Sequence, residues 1–116
     1  VAVVCDTLDA AERGVLAATN LLGRAPEYIA FVPFNLSAEE QRELSSIAEN
    51  INIHAAGDAP KDICEVQSAV TDGRGLIENL PSIECIVMIT VGGPFLADPA
   101  NWEPLFVSRH PLLCIQ

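Results

Sequence analysis

The stretch VAVVCDTLDAAERGVLAATNLLG, residues 1–23, decides the fold. Its first five residues are apolar throughout, without the apolar–polar alternation of a strand that has one wet face. Such a run suits a strand covered on both faces, which is the habit of parallel sheets. Asp6 and Thr7 follow as candidate helix caps. Leu8, Ala11, Val15, Ala18 and Leu22 then recur at helical spacing, and Gly23 stands where helices commonly end in the left-handed conformation. A buried strand feeding straight into an amphipathic helix is the opening of a βαβ unit.

The same alternation continues outward from there. Residues 28–32 predict a second strand closed by Pro33. Ser37-Ala38-Glu39-Glu40 is a capping box, in which the Ser hydroxyl and the Glu carboxylate satisfy each other's free backbone N–H groups. It opens a helix whose buried stripe is Leu44, Ile47, Ala48 and Ile51. Residues 51–55 read as a short third strand, with His54 in it. Gly57-Asp58-Ala59-Pro60 makes a turn with Pro60 at the first helical position.

Ile63, Val66, Val70, Gly73, Ile77 and Leu80 then keep one face of a third helix, with Asp72-Gly73 and Gly75 as weak points and Pro81 as the stop. Residues 83–91 are the most hydrophobic and predict the central strand. After Gly92-Gly93-Pro94 an irregular stretch holds Trp102, which reads as an anchor of that loop to the core. A helix at 103–108 and a fifth strand at 112–115 close the chain. The order βαβαβαβαβ with right-handed crossovers predicts one α/β domain: a five-stranded parallel, doubly wound, Rossmann-like sheet in order 3-2-1-4-5.

Composition limits what such a domain does. The chain has 116 residues, half of them hydrophobic and 19% charged, which suits one folded domain of modest size. Sixteen acidic residues against six basic ones give a net charge of −10. The basic residues (Arg13, Arg24, Arg42, Lys61, Arg74 and Arg109) are scattered, so nucleic acid and anionic membranes are not expected partners. The apolar stretch 85–97 is too short and too glycine-rich to span a bilayer. No secretory signal is read at the start, and Val1 in place of Met suits a segment cut from a longer chain.

The cysteines Cys5, Cys64, Cys85 and Cys114 show no C-x-x-C spacing, so no metal site is assigned. Cys5, Cys85 and Cys114 sit inside strand-like runs and are expected to be buried, leaving Cys64 as the accessible one. A reducing cytoplasm is the expected compartment.

Ligands of doubly wound sheets bind beyond the carboxyl ends of the strands, near the switch in strand order. There the chain carries Asp6, Val32, Thr90, Gly92 and Gly93, the candidate ligand pocket. Asp6 reads first as a cap for the helix at Leu8 and second as a ligand group. The glycine pair reads first as a tight loop and second as a close approach to phosphate. His54 and His110 have no neighbours in sequence that suggest a triad, and a surface or capping role is expected for both.

Several motifs resemble those of universal stress protein domains. Residues 1–22 are similar to the family's opening, an apolar strand ending in Asp followed by a helix rich in Ala and Leu. Gly57-Asp58-Ala59-Pro60-Lys61-Asp62-Ile63 resembles the entry to its third helix. Glu84-Cys85-Ile86-Val87-Met88 looks like its fourth strand, and Arg109-His110-Pro111-Leu112-Leu113-Cys114-Ile115 like its closing strand. The resemblance implies an adenine pocket near Asp6 and the backbone of Val32. ATP-binding members carry G-x-x-G and, about nine residues on, Gly-Ser or Gly-Thr. Here no Gly follows Gly93, and Pro99, Asn101 and Trp102 occupy that region.

A non-catalytic binding or regulatory domain without tight ATP binding is therefore expected, and no cofactor is predicted. The alternatives are an adenine-nucleotide binder using a non-standard loop after strand 4, and a small enzyme of another α/β family using Asp6, Thr90 or His54. A receiver domain would need an Asp closing strand 3 and a Lys closing strand 5, and the chain has neither. Strand order 3-2-1-4-5 puts Leu112, Leu113, Cys114 and Ile115 at a sheet edge with no charge to guard it. That edge predicts a homodimer.

Overall fold

The computed structural model describes residues 1–24, 26–55, 63–79, 86–107 and 111–115. Strand β1 (Ala2–Cys5) leads to helix α1 (Leu8–Leu22), β2 (Ile29–Pro33), α2 (Ala38–Ala55) and β3 (Cys64–Val66). Helix α3 (Gly73–Asn79), β4 (Val87–Thr90), α4 (Pro94–Ala97), α5 (Pro99–Val107) and β5 (Leu112–Ile115) complete the order. The five strands form one parallel sheet in the order β3-β2-β1-β4-β5, as the alternation predicts.

Strand alternation sorts the core into two layers. Val3, Cys5, Ile29, Phe31, Cys64 and Met88 face α1 and α2, where they meet Ala11, Ala18, Leu44 and Ala48. Val4, Val32, Val87 and Ile89 face the other way, onto Leu76, Phe95 and Leu105. Gly14 brings α1 close to the sheet, since a Cβ there would collide with the Val3 side chain.

Local signals hold the first two helices. Thr7, not Asp6, caps α1: its hydroxyl accepts the Ala10 N–H at 3.2 Å. Gly23 ends the helix at φ 67°. The capping box of α2 is reciprocal, with Ser37 Oγ accepting the Glu40 N–H and Glu40 Oε1 accepting the Ser37 N–H, both at 3.1 Å.

Two expected elements are displaced. Residues 51–55 are the last turns of α2 rather than a strand, and His54 is an exposed residue of that helix. The third strand is Cys64–Val66, inside the stretch expected to be helical, and α3 covers only Gly73–Asn79. The reason lies in Asn52. Its Nδ2 donates to the Cys64 carbonyl at 2.9 Å, and its Oδ1 accepts the Cys64 N–H at 2.8 Å. Cys64 needs that fork because Ile63 and Gln67 bond to β2, which turns the backbone of Cys64 outward at the sheet edge.

Asn52→Ala leaves both edge groups of Cys64 without their partner and should destabilise the fold by about 1–2 kcal/mol. Urea unfolding of the variant reads this out, and an unchanged midpoint would mean that the fork contributes nothing. Asp72 explains the late start of α3, since its Oδ1 accepts the Gly75 N–H at 2.8 Å. The irregular stretch expected around Trp102 is also corrected. It is helical, with Pro94 opening α4 and Asp98 accepting the Ala100 N–H at 3.0 Å to start α5. Trp102 lies on α5 with its ring edge-on to Phe106.

The cysteines follow the corrected strands. Cys5 is buried, as expected. Cys64 points into the core from β3 and is buried as well, whereas Cys114, on the edge strand, is exposed. Both expectations for Cys64 and Cys114 are thus reversed, and Cys85 lies outside the described residues. Burial first, and the neighbouring Glu65 carboxylate second, push the Cys64 thiol up to about 12. Cys114, being exposed, should therefore react with a thiol reagent in the native state, with Cys5 and Cys64 slower by orders of magnitude. Mass-spectrometric mapping of the labelled sites checks the order.

Candidate functional site

The strand order reverses between β1 and β4, so the crevice lies beyond Cys5 and Thr90. Asp6 leaves β1 there with only 6% of its surface exposed. Its carboxylate reaches across to the segment that follows β4. Oδ2 accepts the Phe95 N–H at 3.3 Å, and the same carboxylate lies against Gly93, where a Cβ would collide with it. Gly92 makes the turn before it at φ 85°, a conformation that L side chains rarely adopt.

Phe95 is the hub of this end of the molecule. Its ring is fully buried and meets Phe34 edge-on at 5.1 Å between centroids. Its carbonyl accepts from Asn101 Nδ2 at 3.1 Å, and Asn101 is itself buried. The Asn101 carbonyl in turn abuts Gly73, whose missing side chain lets α3 and α5 meet. A polar chain thus runs from Asp6 through Phe95 and Asn101 to the α3–α5 contact.

Of the expected site residues, Asp6, Gly92 and Gly93 are brought together. Thr90 is adjacent but lies on the Met88 side of its strand, toward α1 and α2. Val32 packs in the other layer of the core, the one that holds Phe34 and Phe95. Phe95 and Asn101 join the site without being expected there; Pro94 after a glycine, a usual start of a helix, is the sequence signal nearest to them.

Among the described residues two buried side-chain oxygens have no hydrogen-bond partner: Asp6 Oδ1 at the site, and Thr90 Oγ1 on the α1–α2 side of β4. Such groups are uncommon in folded proteins. Burial pushes the Asp6 carboxyl above its usual range, opposed by the N–H groups of Phe95, Asp6 and Thr7. The arrangement offers the second oxygen of the Asp6 carboxylate to a hydrogen-bond donor. It does not offer an anion a free cradle, because the loop after β4 already carries a carboxylate of the chain's own.

No family model, curated protein or solved structure matches this chain. The likeness to universal stress proteins therefore rests on the motifs themselves. Of these, residues 57–62, 84, 85, 109 and 110 lie outside the described residues, and Ile63 leads into β3 instead of a third helix. Among the described residues, no three His, Cys, Asp or Glu side chains gather as a metal site would require, and no helix is long and apolar enough to cross a membrane.

Proposed function

We propose that the chain is a non-catalytic binding and regulatory domain of the universal-stress type, which takes no tight ATP and pairs with a second copy along β5. One observation carries the first half. The Asp6 carboxylate sits against Gly93 and holds the Phe95 N–H, so a phosphate entering this loop would meet a like charge on an occupied donor. A net charge of −10 works in the same direction. The unpartnered Asp6 Oδ1 favours an uncharged ligand that donates hydrogen bonds, such as adenosine.

Pairing is supported by the state of the edge. The Pro111 and Ile115 carbonyls accept from the N–H groups of Val87 and Val91, so the backbone groups of Leu112 and Cys114 turn outward. Beside them runs an apolar groove of about 360 Å³ lined by Ile89, Leu96, Trp102, Phe106, Leu112 and Cys114. Leu113 packs against the core, so Cys114→Lys is the cleaner probe of the edge.

Thermal unfolding with ATP, AMP and adenosine tests the ligand half. At a hundredfold excess over its dissociation constant a ligand adds about 2.7 kcal/mol, so tight binding would be plain. No stabilisation by ATP is expected, and a saturating shift at micromolar ATP would favour an adenine-nucleotide binder with a non-standard loop instead. Light scattering tests the pairing: a dimer that Cys114→Lys leaves intact, or a parent chain that stays monomeric at high concentration, would overturn it.

A further inference from the structure

Helix α5 presents three faces. Asn101 and Leu105 enter the core, and Trp102 and Phe106 lie beside β5. Ala100, Glu103, Pro104 and Val107, at i, i+3, i+4 and i+7, form the third face, which turns toward α3. Together with Asp72, Arg74 and Ile77 they line a groove of about 700 Å³, a size common among small-molecule sites. A second copy along β5 would meet the other side of α5 and leave this groove open.

The groove changes character along its length. Its two helices touch where the Asn101 carbonyl abuts Gly73. Asp72, Arg74, Ala100 and Glu103 all stand within two residues of that contact. Ile77 and Val107 lie about one and nearly two turns further along their helices, with Pro104 between them. One end is therefore charged and the other apolar.

The charged end does not satisfy itself. Arg74 shares the groove with two carboxylates and pairs with neither, since Arg24–Glu27 is the one ion pair among the described residues. Asp72 has one oxygen engaged, by the Gly75 N–H at 2.8 Å. Pro104 contributes through what it lacks. Without an N–H it cannot serve the Ala100 carbonyl one turn before it, which is left without its helical donor.

These groups have a common complement. A guanidinium takes a carboxylate through two parallel hydrogen bonds. Two carboxylates and a carbonyl supply acceptors for the three N–H groups of an ammonium. A simple anion would meet Asp72 and Glu103 beside Arg74, and a simple cation would meet the arginine. A zwitterion suits both, and its net charge of zero is not repelled by a chain of net charge −10. We infer that the α3–α5 groove binds a free α-amino acid with an apolar side chain. Its carboxylate lies on Arg74, its ammonium on Asp72, Glu103 and the Ala100 carbonyl, and its side chain over Ile77, Pro104 and Val107.

Amide NMR titration of the protein with L-phenylalanine and L-leucine tests this, beside glycine, N-acetylphenylalanine and phenylalaninamide. The two apolar amino acids should bind with dissociation constants of about 1 mM or below, with shifts confined to residues 72–77 and 100–107. The acetylated compound lacks the ammonium and the amide lacks the carboxylate, so each should bind about tenfold more weakly than phenylalanine. Glycine, with no side chain for the apolar end, should bind more weakly still. Arg74→Gln, a change at an exposed position, should weaken phenylalanine about tenfold and leave phenylalaninamide as it was, with the unfolding midpoint unchanged. Glu103→Gln should weaken phenylalanine and leave the acetylated compound as it was.

Absence of shifts with either apolar amino acid at about 10 mM would overturn the assignment. So would shifts centred elsewhere, equal binding of phenylalanine and its two blocked forms, or an Arg74→Gln protein that weakens the free acid and the amide alike.

Discussion

Gly93→Ala is expected to destabilise the protein by roughly 2–3 kcal/mol, the magnitude of a well-packed site forced to accept extra atoms. The effect is purely steric. Gly93 has φ −85°, an angle that alanine adopts freely, so no backbone strain enters. The new methyl would meet the Asp6 carboxylate, whose Cγ is 2.8 Å from the ideal Cβ position. That carboxylate has little room to retreat, being buried and bonded to the Phe95 N–H. In an Asp6→Ala background the obstacle is gone, and the same change at Gly93 should then lie below about 1 kcal/mol. Urea unfolding of the four proteins in this cycle measures the coupling, and an equal penalty in both backgrounds would show that Asp6 is not what Gly93 accommodates.

Phe95→Ala should be the most damaging single truncation at this end, at about 3–5 kcal/mol. The ring has no exposed surface and fills the layer formed by Phe34, Val70, Leu76 and Leu105. Phe95→Leu refills most of that volume and forfeits mainly the edge-on contact with Phe34, worth about 1 kcal/mol. A ratio near unity between the two penalties, read by chemical denaturation, would mean that shape at this position matters less than the packing implies. Neither variant alters the backbone N–H that Asp6 accepts, so together they separate the ring from the bond.

The sequence made the first half of the fold readable because its signals are local. Thr7, Gly23, Ser37 and Glu40 act on residues within one turn of themselves. The third strand is hidden from the sequence for the opposite reason. Ile51 and Ile53 alternate with polar residues as strand residues do, yet Ile51 packs inward and Ile53 outward from one helix. What decides between the two is Asn52 reaching Cys64, twelve residues on. Ile63, Val66 and Val70 happen to fall at helical spacing while belonging to an extended stretch and its bridge to Phe34.

The candidate site divides along the same line. The glycine pair and Asp6 stand out in sequence by type and position at strand ends. Their mutual fit does not, because Asp6 and Phe95 are 89 residues apart and only the parallel sheet brings them together. Thr90 was legible as a strand-end hydroxyl, but its facing depends on which side Met88 takes.

The two margins of the sheet are unlike. At one, the side chain of Asn52 already occupies the outward N–H and C=O of Cys64; at the other, those of Leu112 and Cys114 turn outward beside an apolar groove. Polymerisation by edge addition needs two reactive ends per unit, as a bifunctional monomer does in a growing polymer. A unit with one blocked end is a chain stopper. A second copy joined along β5 would turn its Asn52-capped margins to the outside. The same asparagine that fixes the position of β3 thereby leaves that margin less open to a further strand than the β5 margin.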